Sequence, residues 1–195
     1  MTEQGIKQDN IEVWMDRKGD GNLFSCMNCF REYGDRGGGR WHMQDDVVIS
    51  VAFRETTEEY DYGIVSGFFR EEWQDLSPKS GRVPVAYMWQ SFQCIRIPDS
   101  IIGECARWFY NDAINREIYR EKVEKNKYDD YLFRDFLRER HGNEFVLNLS
   151  PSIVDHVDFL LGGSVINKWR GHYARGDLWE DQEAYEKLRE KLARR

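Results

Sequence analysis

The chain has no apolar run near the ~20 residues that a membrane-spanning helix requires. Residues 1–10 form a polar N-terminal extension without the apolar stretch of a signal peptide, so a cytoplasmic location is expected. Positive charge is in short supply. The 28 Lys and Arg are outnumbered by 35 Asp and Glu, for a net charge of −7. That balance argues against nucleic-acid binding through a broad basic surface, although it leaves room for a local basic patch. Cysteine is scarce as well: Cys26, Cys29, Cys94 and Cys105 are all there are. Cys26 and Cys29 make a C-x-x-C pair, but no second pair completes a zinc site, and no basic neighbour in the sequence lowers a thiol pKa. Reduced thiols on a buried helix face are the simpler expectation. Internal repeats, low-complexity segments and long linkers are also missing. The 195 residues suit one domain, 1–195, large enough to bury a real core.

What is present is aromatic and α/β in pattern. Aromatic residues make up 14% of the chain, and they fill cores as well as line sugar and base sites. Residues 11–15 read as a short strand, followed by a turn-rich stretch at 16–21 and a helix over 23–33 that Gly34 breaks. Residues 41–51 read as one strand crossing the core, with further strands at 63–69, 83–88 and 94–97. Pro98 stops the last of these, and Asp99 or Ser100 is placed to cap a helix. That helix carries Ile101, Ile102, Cys105, Trp108 and Phe109 on one face, and its continuation over 115–127 is charged and solvated. A helix from Asp129 turns Leu132, Phe133, Phe136 and Leu137 inward. A late strand follows at 145–149. Residues 176–195 read as a C-terminal helix, with Tyr185, Leu188 and Leu192 on one stripe that packs on its own domain or on a second subunit. Strands alternating with helices predict an α/β sheet protein.

Four groups carry chemistry. Asp45 and Asp46 follow Gln44 at the end of an apolar strand, where two carboxylates cost free energy unless compensated. Mg²⁺ or Mn²⁺ would compensate them; a solvated strand end does so equally well. Asp129 and Asp130 open a helix, where the dipole favours acids without any catalytic role, and a general base at a cleft is the alternative. His156 is either hydrogen-bonded by Asp155 or Asp158 or a neutral metal ligand. Gly163 and Ser164 with Lys168, Arg170 and Arg175 are a flexible turn with solvated charges or a diphosphate cradle. His42 reads as a core-strand residue and His141 as a helix end.

In order, these segments resemble the bacterial, phage and viral GT-A glycosyltransferases. The carriers are Trp41-His42-Met43-Gln44-Asp45-Asp46-Val47 with the later Phe53, then Gln93-Cys94-Ile95-Arg96-Ile97-Pro98, then Lys127-Tyr128-Asp129-Asp130-Tyr131-Leu132-Phe133. Pro151-Ser152-Ile153-Val154-Asp155-His156 and Leu161-Gly162-Gly163-Ser164 follow. Phage-type members are the most similar. The resemblance implies a single GT-A (Rossmann-like) domain, a mixed central sheet flanked by helices, that moves a sugar from a nucleotide-sugar donor, a UDP-sugar first among candidates, to an acceptor hydroxyl on a glycan or a modified DNA base. It implies Mn²⁺ or Mg²⁺ held by Asp46, Asp45 and His156, and Asp130 with Asp129 as general base in an inverting reaction. Ser164, Gly163, Lys168, Arg170 and Arg175 would touch the diphosphate, and a viral member would act in the host cytoplasm. On this resemblance Ile11 corresponds to the family's second strand, and the 16–21 loop is expected to help bind the base. The alternative is a catalytically silent protein that keeps the scaffold and binds a nucleotide or a partner; a carboxylate-metal nuclease would leave the 151–164 segment unexplained.

Overall fold

The computed structural model describes residues 11–16, 18–44, 47–49, 53–68, 81–84, 92–126, 129–149 and 152–156. In chain order its elements are α1 (Asn22–Tyr33), β1 (Gly39–Met43), β2 (Val47–Ile49), α2 (Phe53–Glu59), β3 (Ile64–Ser66), β4 (Gly81–Pro84) and β5 (Cys94–Pro98). Then come α3 (Asp99–Asn111), 3-10 turns at Ala113–Asn115 and Glu117–Tyr119, α4 (Arg120–Lys125), α5 (Asp129–Arg140), β6 (Phe145–Asn148) and β7 (Val154–His156). The expected C-terminal helix lies outside the described residues.

The chain is α/β. A five-stranded mixed sheet has the order β1-β5-β3-β6-β4, and a second sheet pairs β2 with β7. Alternation along the strands splits the core in two. Ile64, Ile95, Ile97 and Val146 face α1, α3 and α5, where Phe30, Phe109, Phe133 and Phe136 are buried. Val65, Cys94 and Leu147 face the other way, towards Phe53 of α2 and the small sheet's Val47, Ile49 and Val154. Each buried Phe or Leu contributes about 1.5–3 kcal/mol by leaving water, and edge-to-face ring contacts such as Phe30–Phe133 (centroids 5.6 Å) fix their order.

Several elements follow the sequence pattern closely. Leu132, Phe133, Phe136 and Leu137 are all buried, as are Ile102, Cys105, Trp108 and Phe109. Cys26 and Cys29 lie on α1 as free thiols, and burial pushes both up, Cys29 to about 12, so neither is a redox or metal thiolate at neutral pH. His42 sits on β1 with its ring edge-on to Phe30 at 5.5 Å. Burial and then the Arg40 charge hold it down at about 4, so it is neutral. His141 follows α5 and bridges Glu104 (3.1 Å) and Glu144 (2.8 Å).

Others depart from it. Residues 11–16 form no strand: Ile11, Val13 and Met15 alternate but are exposed, Val13 by 75%. The segment is tied down by polar contacts instead, Trp14 Nε1 to Ser25 Oγ (3.1 Å) and Glu12 to Arg36 (3.0 Å). The strand expected over 41–51 is two strands in different sheets. Neither Asp99 nor Ser100 caps α3. Pro98 holds the N-cap position without a side-chain bond, and the fully buried Asp99 carboxylate accepts from Arg40 Nε (3.0 Å) and Nη2 (2.8 Å). A buried carboxylate needs that fork more than a helix needs a cap.

The start of α1 is capped from a distance. Gly21 has no capping side chain, and Asn126, 102 residues after Phe24, accepts the Phe24 N–H (3.1 Å) while its Nδ2 donates to the Asp20 carbonyl. Asn126 also ends α4 in the left-handed region, φ 49°. Asn126→Ala should therefore lose both the cap and the backbone preference, about 1–2 kcal/mol, and Asn126→Gly should lose less because glycine keeps the φ. Urea denaturation compares the pair; equal losses would show that the φ contributes nothing. Among the described residues, no helix is long and apolar enough to cross a membrane.

Candidate active site

Strands β1, β3 and β6 run in one direction, with β5 and β4 against them, so their carboxyl ends share one edge. In open α/β sheets ligands bind in the crevice outside the carboxyl ends of the strands. Gln44, just past β1, donates its N–H to the Gln93 carbonyl at 3.2 Å. Ser66 and Asn148 end β3 and β6 as register partners. Beyond them the backbone folds back under β3: Leu149 N–H bonds Ser66 O (3.0 Å) and Ile153 N–H bonds Gly67 O (2.8 Å). Gly67 permits this approach, because a Cβ there would stand 2.7 Å from Ile153 Cγ1 and 2.9 Å from Cys94 Sγ.

The start of α5 lies at the same edge. The helix runs into β6 through a short turn, and its Phe133 packs on Phe92, just ahead of β5, with centroids 5.3 Å apart. Asp129 is one turn, about 6 Å, before Phe133. Its carboxyl is half-buried, and burial raises its pKa, with the backbone N–H groups of Asp130 and Asp129 only partly offsetting the effect. Burial and then the Asp129 charge raise the neighbouring Cys26 thiol. Asp130 Oδ1 accepts the Tyr131 N–H at 2.8 Å. Asp129 is thus partly withdrawn from solvent with its pKa raised, while Asp130 makes a local bond in the helix's first turn.

Asp129's raised pKa carries a stability cost with a definite sign. The folded chain holds the proton more tightly than the unfolded one, so Asp129 stabilises least above its folded pKa and the cost disappears as pH falls. Asp129→Asn should melt higher than the wild type at pH 7, with the gap closing below about pH 4, where both states are protonated. Melting curves across pH 3–8 read this; a variant less stable at pH 7 would mean the carboxylate is needed structurally.

On the sheet's other face, β2 and β7 are antiparallel, with Val47 opposite His156, Val48 opposite Asp155 and Ile49 opposite Val154. Gln44 ends the described chain at the carboxyl edge, and the described chain resumes at Val47 on β2. The backbone thus brings Val47–Ile49 and Val154–His156 together, with Ile153 held to Gly67 at the edge. The Cys94–Pro98 strand crosses the sheet and delivers Pro98 to the opposite edge, where it turns into α3.

Asp45 and Asp46 themselves lie outside the described residues, as do the His156 side chain and all of Gly163, Ser164, Lys168, Arg170 and Arg175. Among the described residues, no three His, Cys, Asp or Glu side chains gather as a metal site. Sequence reasoning missed Ser66, Gly67 and Asn148; the signal was a small or polar residue closing an apolar strand, Ile64-Val65-Ser66 and Val146-Leu147-Asn148. Comparison of the chain with protein-family models, curated proteins and solved structures gave no match.

Proposed function

We propose that the protein is a metal-dependent glycosyltransferase of the GT-A type, moving a sugar from a nucleotide-sugar, a UDP-sugar first, to an acceptor hydroxyl. The observation that supports the reading is the pairing of Val47 with His156. That pairing joins two segments about a hundred residues apart in the chain, each singled out by the resemblance.

In this reading Asp46, Asp45 and His156 would hold Mn²⁺ or Mg²⁺, which would supply positive charge to offset that of the donor diphosphate. Gly163, Ser164, Lys168, Arg170 and Arg175 bind that diphosphate. Asp129, with Asp130 beside it, takes the acceptor's proton as the acceptor oxygen bonds to the anomeric carbon. The bond from that carbon to the diphosphate oxygen breaks, and the nucleotide leaves with its electron pair. Half-burial suits Asp129 to this role, since a carboxylate with raised pKa is a stronger base. The acids at the edge favour a neutral glycan acceptor over DNA, whose phosphates they repel.

Incubation with Mn²⁺ and a panel of UDP-, GDP- and dTDP-sugars, with free nucleotide measured, tests the activity. Metal-dependent release is expected. Tight binding without release, across a panel of sugar acceptors, would instead make the chain a silent nucleotide-binding protein.

A further inference from the structure

Asn148 is 4% exposed, and its Nδ2 is sealed from solvent with no hydrogen-bond partner. Buried amide donors are nearly always paired, so an orphan one at a ligand-binding edge calls for a ligand acceptor. Its register partner across parallel strands is Ser66, fully buried, about 4.8 Å away along the hydrogen-bonding direction. Alternation puts both on the helix side, because Ile64 and Val146, two residues before them, belong to the core under α1, α3 and α5. The Ser66 hydroxyl donates its proton to the Phe68 carbonyl at 2.9 Å, which leaves Ser66 Oγ as an acceptor.

A free donor and a free acceptor side by side complement a group that both accepts and donates. A hydroxyl does so; phosphate and ionised carboxylate only accept, and would face the Ser66 lone pairs with Asp129 at the same edge. We infer, resting on the glycosyltransferase reading, that Asn148 and Ser66 read a hydroxyl of the transferred sugar and select a neutral sugar over an anionic one. Nδ2 is sealed from solvent, so the hydroxyl reaches it only by opening the site, and association should be slower than diffusion allows.

Calorimetric titration of the full chain with Mn²⁺ and UDP, UDP-glucose or UDP-glucuronate, repeated with the GDP and dTDP counterparts, tests this. Asn148→Ala should weaken the nucleotide-hexose by about five- to twentyfold, the loss of one or two hydrogen bonds, and leave the bare nucleoside diphosphate within about twofold. Its melting temperature should hold or rise, since an unpaired donor is removed; a structural role would lower it and spare the binding. Ser66→Ala should weaken the same ligand alone, and it stands in for Asn148→Ala if that variant fails to fold. Wild-type preference for the uronate, or equal effects of the variants on sugar and bare nucleotide, overturns the inference while leaving the glycosyltransferase reading in place. If the wild type binds no nucleoside diphosphate at all, both fall.

Discussion

Gly34→Ala is expected to cost about 2–3 kcal/mol and lower the melting temperature by about 5–10 °C. Gly34 is not glycine for its backbone angles, φ −63° and ψ −20°, which any residue adopts. It is glycine because α1 ends against α3: a Cβ there would sit inside van der Waals contact of the Gly103 Cα and 2.7 Å from the Phe30 carbonyl. Both obstacles are backbone, so relief requires α1 and α3 to move apart and opens the core around Phe30 and Phe109. Gly103→Ala meets the Gly34 carbonyl oxygen at 2.9 Å and should behave alike. Once one substitution has separated the helices the second has less to disturb, so the double variant should lose less than the sum of the two. Strict additivity, or a neutral Gly34→Ala, would show that the crossing is not tight.

Asp46→Ala should abolish metal-dependent nucleotide binding, a loss of at least about a hundredfold, because removing one of few anionic ligands forfeits several kcal/mol of metal affinity at 1.4 kcal/mol per tenfold. Asp129→Asn should spare donor binding and slow transfer by about 10²–10⁴-fold, the usual worth of a positioned base. The two variants thus separate in opposite columns, one in binding and one in rate. If both matched the wild type, the assigned residues would be the wrong ones whatever the activity.

Elements with a strong apolar period were legible from the chain alone. On α3 and α5 the spacing of Ile102, Cys105, Trp108 and Phe109, and of Leu132, Phe133, Phe136 and Leu137, leaves one way to bury them. Helix α2 was not legible, because Phe53 is its one buried residue and a single anchor makes no stripe. The division of 41–51 was hidden for another reason. Val47-Val48-Ile49 is as strand-like as Trp41-His42-Met43, and what sends it into a second sheet is its pairing with β7, about a hundred residues later in the chain. The opposite error arose at 11–15, where alternation copied a strand that no partner completes among the described residues. At the site, the Asp129-Asp130 pair and the 151–156 segment could be named, but the pairing of Val47 with His156 could not, since it joins strands about a hundred residues apart. Ser66 and Asn148 acquire meaning only as neighbours across the carboxyl edge.

The measurement closest to the central claim is the thermal shift of the wild-type chain with nucleoside diphosphates, run with Mn²⁺ and again with a chelator. Ligand at a hundred times its dissociation constant should add about 2.7 kcal/mol, a rise of about 5–10 °C, with metal present and essentially none with it removed. No shift from any nucleoside diphosphate, or the same shift with the metal stripped away, would contradict the account.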